Sequence, residues 1–97
     1  MSTYILAFRN DPNRAATPEQ ERLWADWFAE IGERVTDFGN RVGQTVMLGD
    51  NPAAPDRLSG YVAVEADDLD SAVKLASGCP GLTYGGRVEV GEPVPMS

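Results

Sequence analysis

The chain has 97 residues, 42% of them hydrophobic and 24% charged, the composition of one globular domain with room for a single modest core. Its 15 acidic residues against 8 basic ones leave a net charge of −7, a surface that repels polyphosphate backbones and anionic membranes. The arginines are scattered from Arg9 to Arg87 and Lys74 is the only lysine, so neither a nucleic-acid nor a membrane partner is expected.

Residues 3–9 (TYILAFR) read as a strand, short and rich in aromatic and branched side chains, closed by the turn formers Asn10-Asp11-Pro12-Asn13. Both of its faces are fairly apolar, which predicts a central strand covered on each side. Thr17-Pro18-Glu19-Gln20 then opens a helix: Thr17 suits the N-cap, Pro18 the first helical position, and Gln20 completes a capping box. Trp24, Trp27, Phe28, Ile31, Val35 and Phe38 recur at three- and four-residue steps, and this stripe predicts a helix that runs on to Gly39 or Asn40.

A second strand is expected at residues 44–48 (QTVML), followed by an irregular loop from Gly49 through AAPDR to Arg57. Residues 60–65 (GYVAVE) alternate into a third strand. Asp67 or Asp68 caps a helix over 69–77, Gly78 and Pro80 stop it, and Gly85-Gly86 turns the chain into a last strand at 87–90. Residues 92–97, with Pro93 and Pro95, read as an extended or disordered tail on a single domain spanning 1–97.

The order β-α-β-β-α-β is the split βαβ pattern of ferredoxin-like α+β domains, an antiparallel four-stranded sheet with two helices on one face. Alternation puts Val62, Val64, Val88 and Val90 under the helices. The open face then carries Tyr61, Ala63, Glu65, Arg87 and Glu89.

The residue inventory excludes much chemistry. The chain has no histidine, so it has no Ser-His-Asp or Cys-His arrangement and no imidazole base or ligand. The single Cys79 cannot form an internal disulfide, and it follows a helix C-terminus, whose negative potential disfavours a reactive thiolate. No apolar run reaches the length of a membrane span and no signal core precedes the first strand, so a cytoplasmic protein is expected. Asp67, Asp68 and Asp70 read as capping residues rather than metal ligands, Gly85-Gly86 as a turn rather than a phosphate loop, and Trp24 and Trp27 as core more than pocket. No cofactor or metal is expected.

The block GYVAVEADDLDSAVKLASGCPGL, followed by GGRVEV, resembles the YCII-related family of small α+β proteins that includes the DGPF-domain group. The resemblance extends to TPEQ at the start of the first helix and to VPM near the end. It implies a ferredoxin-like domain that dimerises through its sheet faces, as in dimeric α/β barrels. The family's proposed His–Asp pair has no counterpart in a chain without histidine, and the DGPF tetrapeptide is replaced by DNPAAPDR, so a mechanism built on either does not carry over.

Three functions follow as expectations. The first is a homodimer that binds a small organic ligand or serves as an accessory protein, without catalysis, with Arg9, Tyr61, Glu65, Arg87 and Glu89 as the candidate ligand-binding residues. The second is an enzyme in which Glu65 or Asp68 serves as base, Arg9 or Arg87 as anion clamp and Tyr61 as hydrogen-bond donor. The third is a regulatory module that docks a protein on the Trp-bearing helix.

Overall fold

The computed structural model describes residues 1–11, 14–49 and 56–95. Four strands, β1 (Ser2–Asn10), β2 (Val35–Arg41), β3 (Arg57–Ala66) and β4 (Arg87–Gly91), form one antiparallel sheet in the order β2-β3-β1-β4. Helix α1 (Pro18–Ile31) connects β1 to β2 through a 3₁₀ turn at Gly32–Arg34, and α2 (Leu69–Ala76) connects β3 to β4 through a second at Pro80–Tyr84. This is the ferredoxin-like arrangement expected. Among the described residues no helix is long and apolar enough to cross a membrane.

The core lies between the sheet and the helices. Tyr4, Leu6 and Phe8 of β1 meet Val62, Val64 and Ala66 of β3, and all are buried beneath Trp27 and Ile31 of α1 and Ala72 and Ala76 of α2. Val88 and Val90 of β4 pack against this cluster, so the valine face is the helix face. The strand at residues 3–9 is central, as its two apolar faces suggest, but only its helix side is fully covered: Ile5 and Ala7 on the other side remain half-buried.

Both helices start where the caps predict. Thr17 Oγ1 accepts from the Gln20 backbone N–H at 3.1 Å while Gln20 Oε1 accepts from that of Thr17 at 3.0 Å, a complete capping box. Asp68 Oδ1 accepts from the Ser71 N–H at 2.8 Å and caps α2.

The stretch between the first helix and the third strand differs from expectation. Helix α1 stops at Ile31, and the second strand is Val35–Arg41; residues 44–48 have no regular structure, with Val46 and Leu48 exposed. The cause is a bulged strand. Gly32 weakens the helix and Val35-Thr36 are β-branched, so the chain turns through a short 3₁₀ segment into β2. There the register against β3 slips between Val35 and Asp37 and again between Asp37 and Asn40. The first slip puts Val35 and Phe38, three positions apart, on the same side of the sheet: Val35 packs on the core and the Phe38 ring stands 6.4 Å from that of Phe28. A bulged strand thus reproduced the three-residue spacing of a helix. At the second slip Gly39 has φ +59°, and its N–H donates to Asp37 Oδ1 at 2.8 Å.

Pro12 and Asn13 of the expected turn lie outside the described residues, as do 50–55 of the middle loop and Met96 and Ser97 of the tail. Residues 92–95 have no regular structure.

Candidate functional site

Alternate residues of the strands point away from the helices. Across this open face, Tyr61, Ala7 and Glu89 form one row, Leu58, Arg9 and Arg87 the next, and Ala63, Ile5 and Gly91 lie on the other side of the first. Adjacent arginines repel, and each is neutralised differently. Arg9 Nη2 lies 3.6 Å from Glu89 Oε1, one row away on β4. Arg87 Nε donates to Asp56 Oδ2 at 2.5 Å, with the Asp56 side chain only 17% exposed.

Arg9, Arg87 and Glu89, three of the five candidate residues, therefore form one charged cluster with Asp56. Tyr61 stands in the neighbouring row, where its hydroxyl accepts from Asn40 Nδ2 at 2.9 Å and keeps its own proton to donate. Glu65 lies apart. It is in register with Thr3, six residues along β1 from Arg9, which is about 20 Å at strand spacing. A Glu65 base and an Arg9 or Arg87 clamp consequently do not meet within one protomer, and Asp68 is committed to capping α2.

Asp56 and Asn40 belong to this face but were not among the expected residues. Asp56 precedes the third strand in a segment whose sequence reads only as loop, and Asn40 lay at the end of the expected helix. Cross-strand pairing brings both in, and no spacing in the sequence reports it.

Arg87 beside Asp56 holds that carboxyl below the usual carboxylate range, chiefly through their hydrogen bond. A carboxyl lowered in the folded state stabilises the fold above its unfolded value of about 4 and loses that contribution as pH falls through the folded value. Asp68 is lowered in the same sense by its bonds to Ser71. Stability should thus decline on acidification below about pH 4. In Asp56→Asn the decline in melting temperature from pH 5 to pH 2.5 should be shallower than in the wild type; an unchanged slope would show that the Arg87 pair does not form.

Cys79 is buried, and burial pushes its thiol up, against the pull of the Gly81 and Leu82 N–H groups. That fits a packing role. Among the described residues no group of three or more His, Cys, Asp or Glu is placed to hold a metal ion.

On the helix side, where core was the stronger expectation for Trp24 and Trp27, the structure has a cleft. The C-terminal half of α1 sits in the core through Trp27 and Ile31, while Trp24 leans on the Pro80–Tyr84 turn, where a Cβ on Gly81 would lie 2.9 Å from the indole. Between this end of α1 and the β2–β3 edge a cleft of about 420 Å³ remains, walled by Phe8, Trp24, Phe28 and Phe38. The rings step across it: Trp24 to Phe28 is 5.8 Å between centroids at 30°, and Phe28 to Phe38 is 6.4 Å at 63°. The cleft shares Asn10, Ala16, Trp24, Arg41 and Ser59 with a wider cavity whose wall also includes Arg14, Arg57 and Asp11. Of the two tryptophans, Trp27 is core, 5% exposed, and Trp24 is half core and half cleft wall.

Compared with protein-family models and with curated proteins, the chain matches none. The resemblance to YCII-related proteins rests on residues 60–82 and 85–90, with TPEQ and VPM.

Proposed function

We propose that the protein is a YCII-like homodimer, paired through its open sheet faces, that binds a small organic ligand and has no catalytic role of its own. The observation that carries the pairing is the half-buried apolar strip of Ile5, Ala7 and Ala63 on a sheet face that no described element of the chain covers. Such a strip flanked by charge is the composition of a subunit interface with an apolar centre and a polar rim. One end of the face carries the Arg9–Glu89 and Arg87–Asp56 pairs, whose charges balance, and the other carries Glu65, with Asp37 in register with Ala63. Paired charges beside the strip suit the polar rim of a two-fold interface.

The separation of Glu65 from Arg9 and Arg87 favours binding over carboxylate-based catalysis, since base and clamp share no site in one chain. Light scattering on the eluting peak of a gel-filtration column tests the pairing. At micromolar concentration the mass should be that of two chains, and Ala63→Arg, which buries a charge at the centre of the strip, should give one. A wild-type monomer would sink the proposal.

A further inference from the structure

Resting on the ligand-binding half of that reading, we infer that the helix-side cleft binds a small organic monocarboxylate with a flat aromatic body, its ring against Trp24, Phe28 and Phe38 and its carboxylate toward Arg14 and Arg41.

The apolar half of the argument is Phe38. It lines the cleft with Trp24 and Phe28 and is 60% exposed, its ring 6.4 Å from that of Phe28. A ring inserted there would meet aromatic edges and faces on several sides, the geometry in which aromatic pairs gain beyond simple burial. The volume, about 420 Å³, falls within the range of roughly 300–1,000 Å³ usual for small-molecule sites.

The polar half is the charge at the cleft's mouth. In a chain with a net charge of −7 and only 8 basic residues, Arg14, Arg41 and Arg57 converge on one contiguous cavity wall. Among the described residues of the two walls, Asp11 and Glu21 stand with them, three positive charges against two negative ones. That balance suits a monoanion and not a phosphate dianion. Arg14 uses one guanidinium N–H on the Tyr84 carbonyl, at 3.0 Å, and this bond fixes its plane while leaving further donors. Among the described residues Arg41 makes a loose 3.8 Å pair with Glu21, and its side chain is 87% exposed, so it can turn to a ligand.

The planar aryl acid 2-naphthoate, its neutral analogue 2-naphthamide, acetate and inorganic phosphate separate these contributions. Binding is followed by quenching of tryptophan fluorescence and by NMR shifts of the Trp24 indole and Phe38 ring signals. The acid should bind about tenfold or more tighter than the amide, the difference expected for a charge-assisted arginine contact. Arg14→Gln with Arg41→Gln should abolish that difference without weakening the amide, and Phe38→Ala should weaken acid and amide alike. All these side chains lie outside the buried core, and a dispersed amide spectrum confirms that each variant is folded. Equal affinity for acid and amide overturns the inference, as does phosphate or acetate binding as tightly as the acid. If no probe moves the Trp24 and Phe38 signals the inference also fails, and a screen of neutral aromatic fragments then separates two cases. Fragments that move those signals leave the broader ligand-binding reading standing, and silence from all of them removes it too.

Discussion

Gly39→Ala is expected to destabilise the protein by about 3 kcal/mol, the sum of a strained backbone and a displaced strand pair. Gly39 sits at φ +59°, in the left-handed region that costs a residue with a Cβ roughly 1 kcal/mol or more. The larger part is contact. A Cβ there would collide with the Tyr61 carbonyl oxygen and lie 2.9 Å from Tyr61 Cδ2, and the first obstacle is backbone of a strand clamped between two others. β3 cannot yield, so β2 must lift away, taking the Asn40–Tyr61 bond and Phe38 with it. For a domain of this length the melting temperature should fall on the order of 15 °C, with the urea midpoint lowered and the slope unchanged. The size of the effect discriminates between structures. At the end of a helix that stops at Gly39, alanine would cost only about 1 kcal/mol, and inside one running on to Asn40 it would stabilise by about as much. Either result in place of a loss near about 3 kcal/mol would restore that helix and remove both bulge and cleft.

That one glycine marks the boundary between what the sequence reveals and what it hides. β3, α2 and β4 were legible because each has a local signal that agrees with its tertiary role: period-two valines, an Asp cap, a Gly-Gly turn whose Gly85 takes φ +84°. β2 was not, because two bulges replace strand periodicity with a spacing that continues the helical stripe of α1. The strand propensity of QTVML was real, yet those residues find no pairing partner among the described strands. The open face was half legible for the same reason. Which residues point outward follows from alternation, so Arg9, Tyr61, Arg87 and Glu89 were within reach. Their partners, Asp56 and Asn40, depend on register. Of the cleft only the Trp24 wall could be weighed, since arginines that look scattered along the chain converge only once α1, the end of β2 and the start of β3 are folded together.

Phe8→Ala should cost about 4 kcal/mol, while Phe38→Ala should cost about 0.5 kcal/mol or less. Both rings touch the same cluster, and burial decides between them. Phe8 is 5% exposed and lies edge-on to Trp24, Trp27 and Phe28 at 5.1, 5.9 and 6.1 Å, so its removal opens a cavity beneath α1 and dissolves three aromatic contacts. Phe38 touches only Phe28 among the rings and is 60% exposed, so water already covers most of what truncation would uncover. Since domains of this size are stable by only about 5–15 kcal/mol, Phe8→Ala will sit near the threshold of folding, and Phe8→Leu, expected to cost less than about 2 kcal/mol, keeps the comparison measurable. Urea titration with near-ultraviolet circular dichroism reads both stability and tryptophan environment. A Phe38→Ala cost approaching that of Phe8→Ala would mean the ring is buried in the protein in solution, with the cleft closed over it and no room for a ligand. A small Phe38 cost beside a large Phe8 cost leaves an exposed aromatic ring held on a bulged strand against a rigid core. A fold that maintains such a ring without drawing stability from it keeps it available for something other than packing.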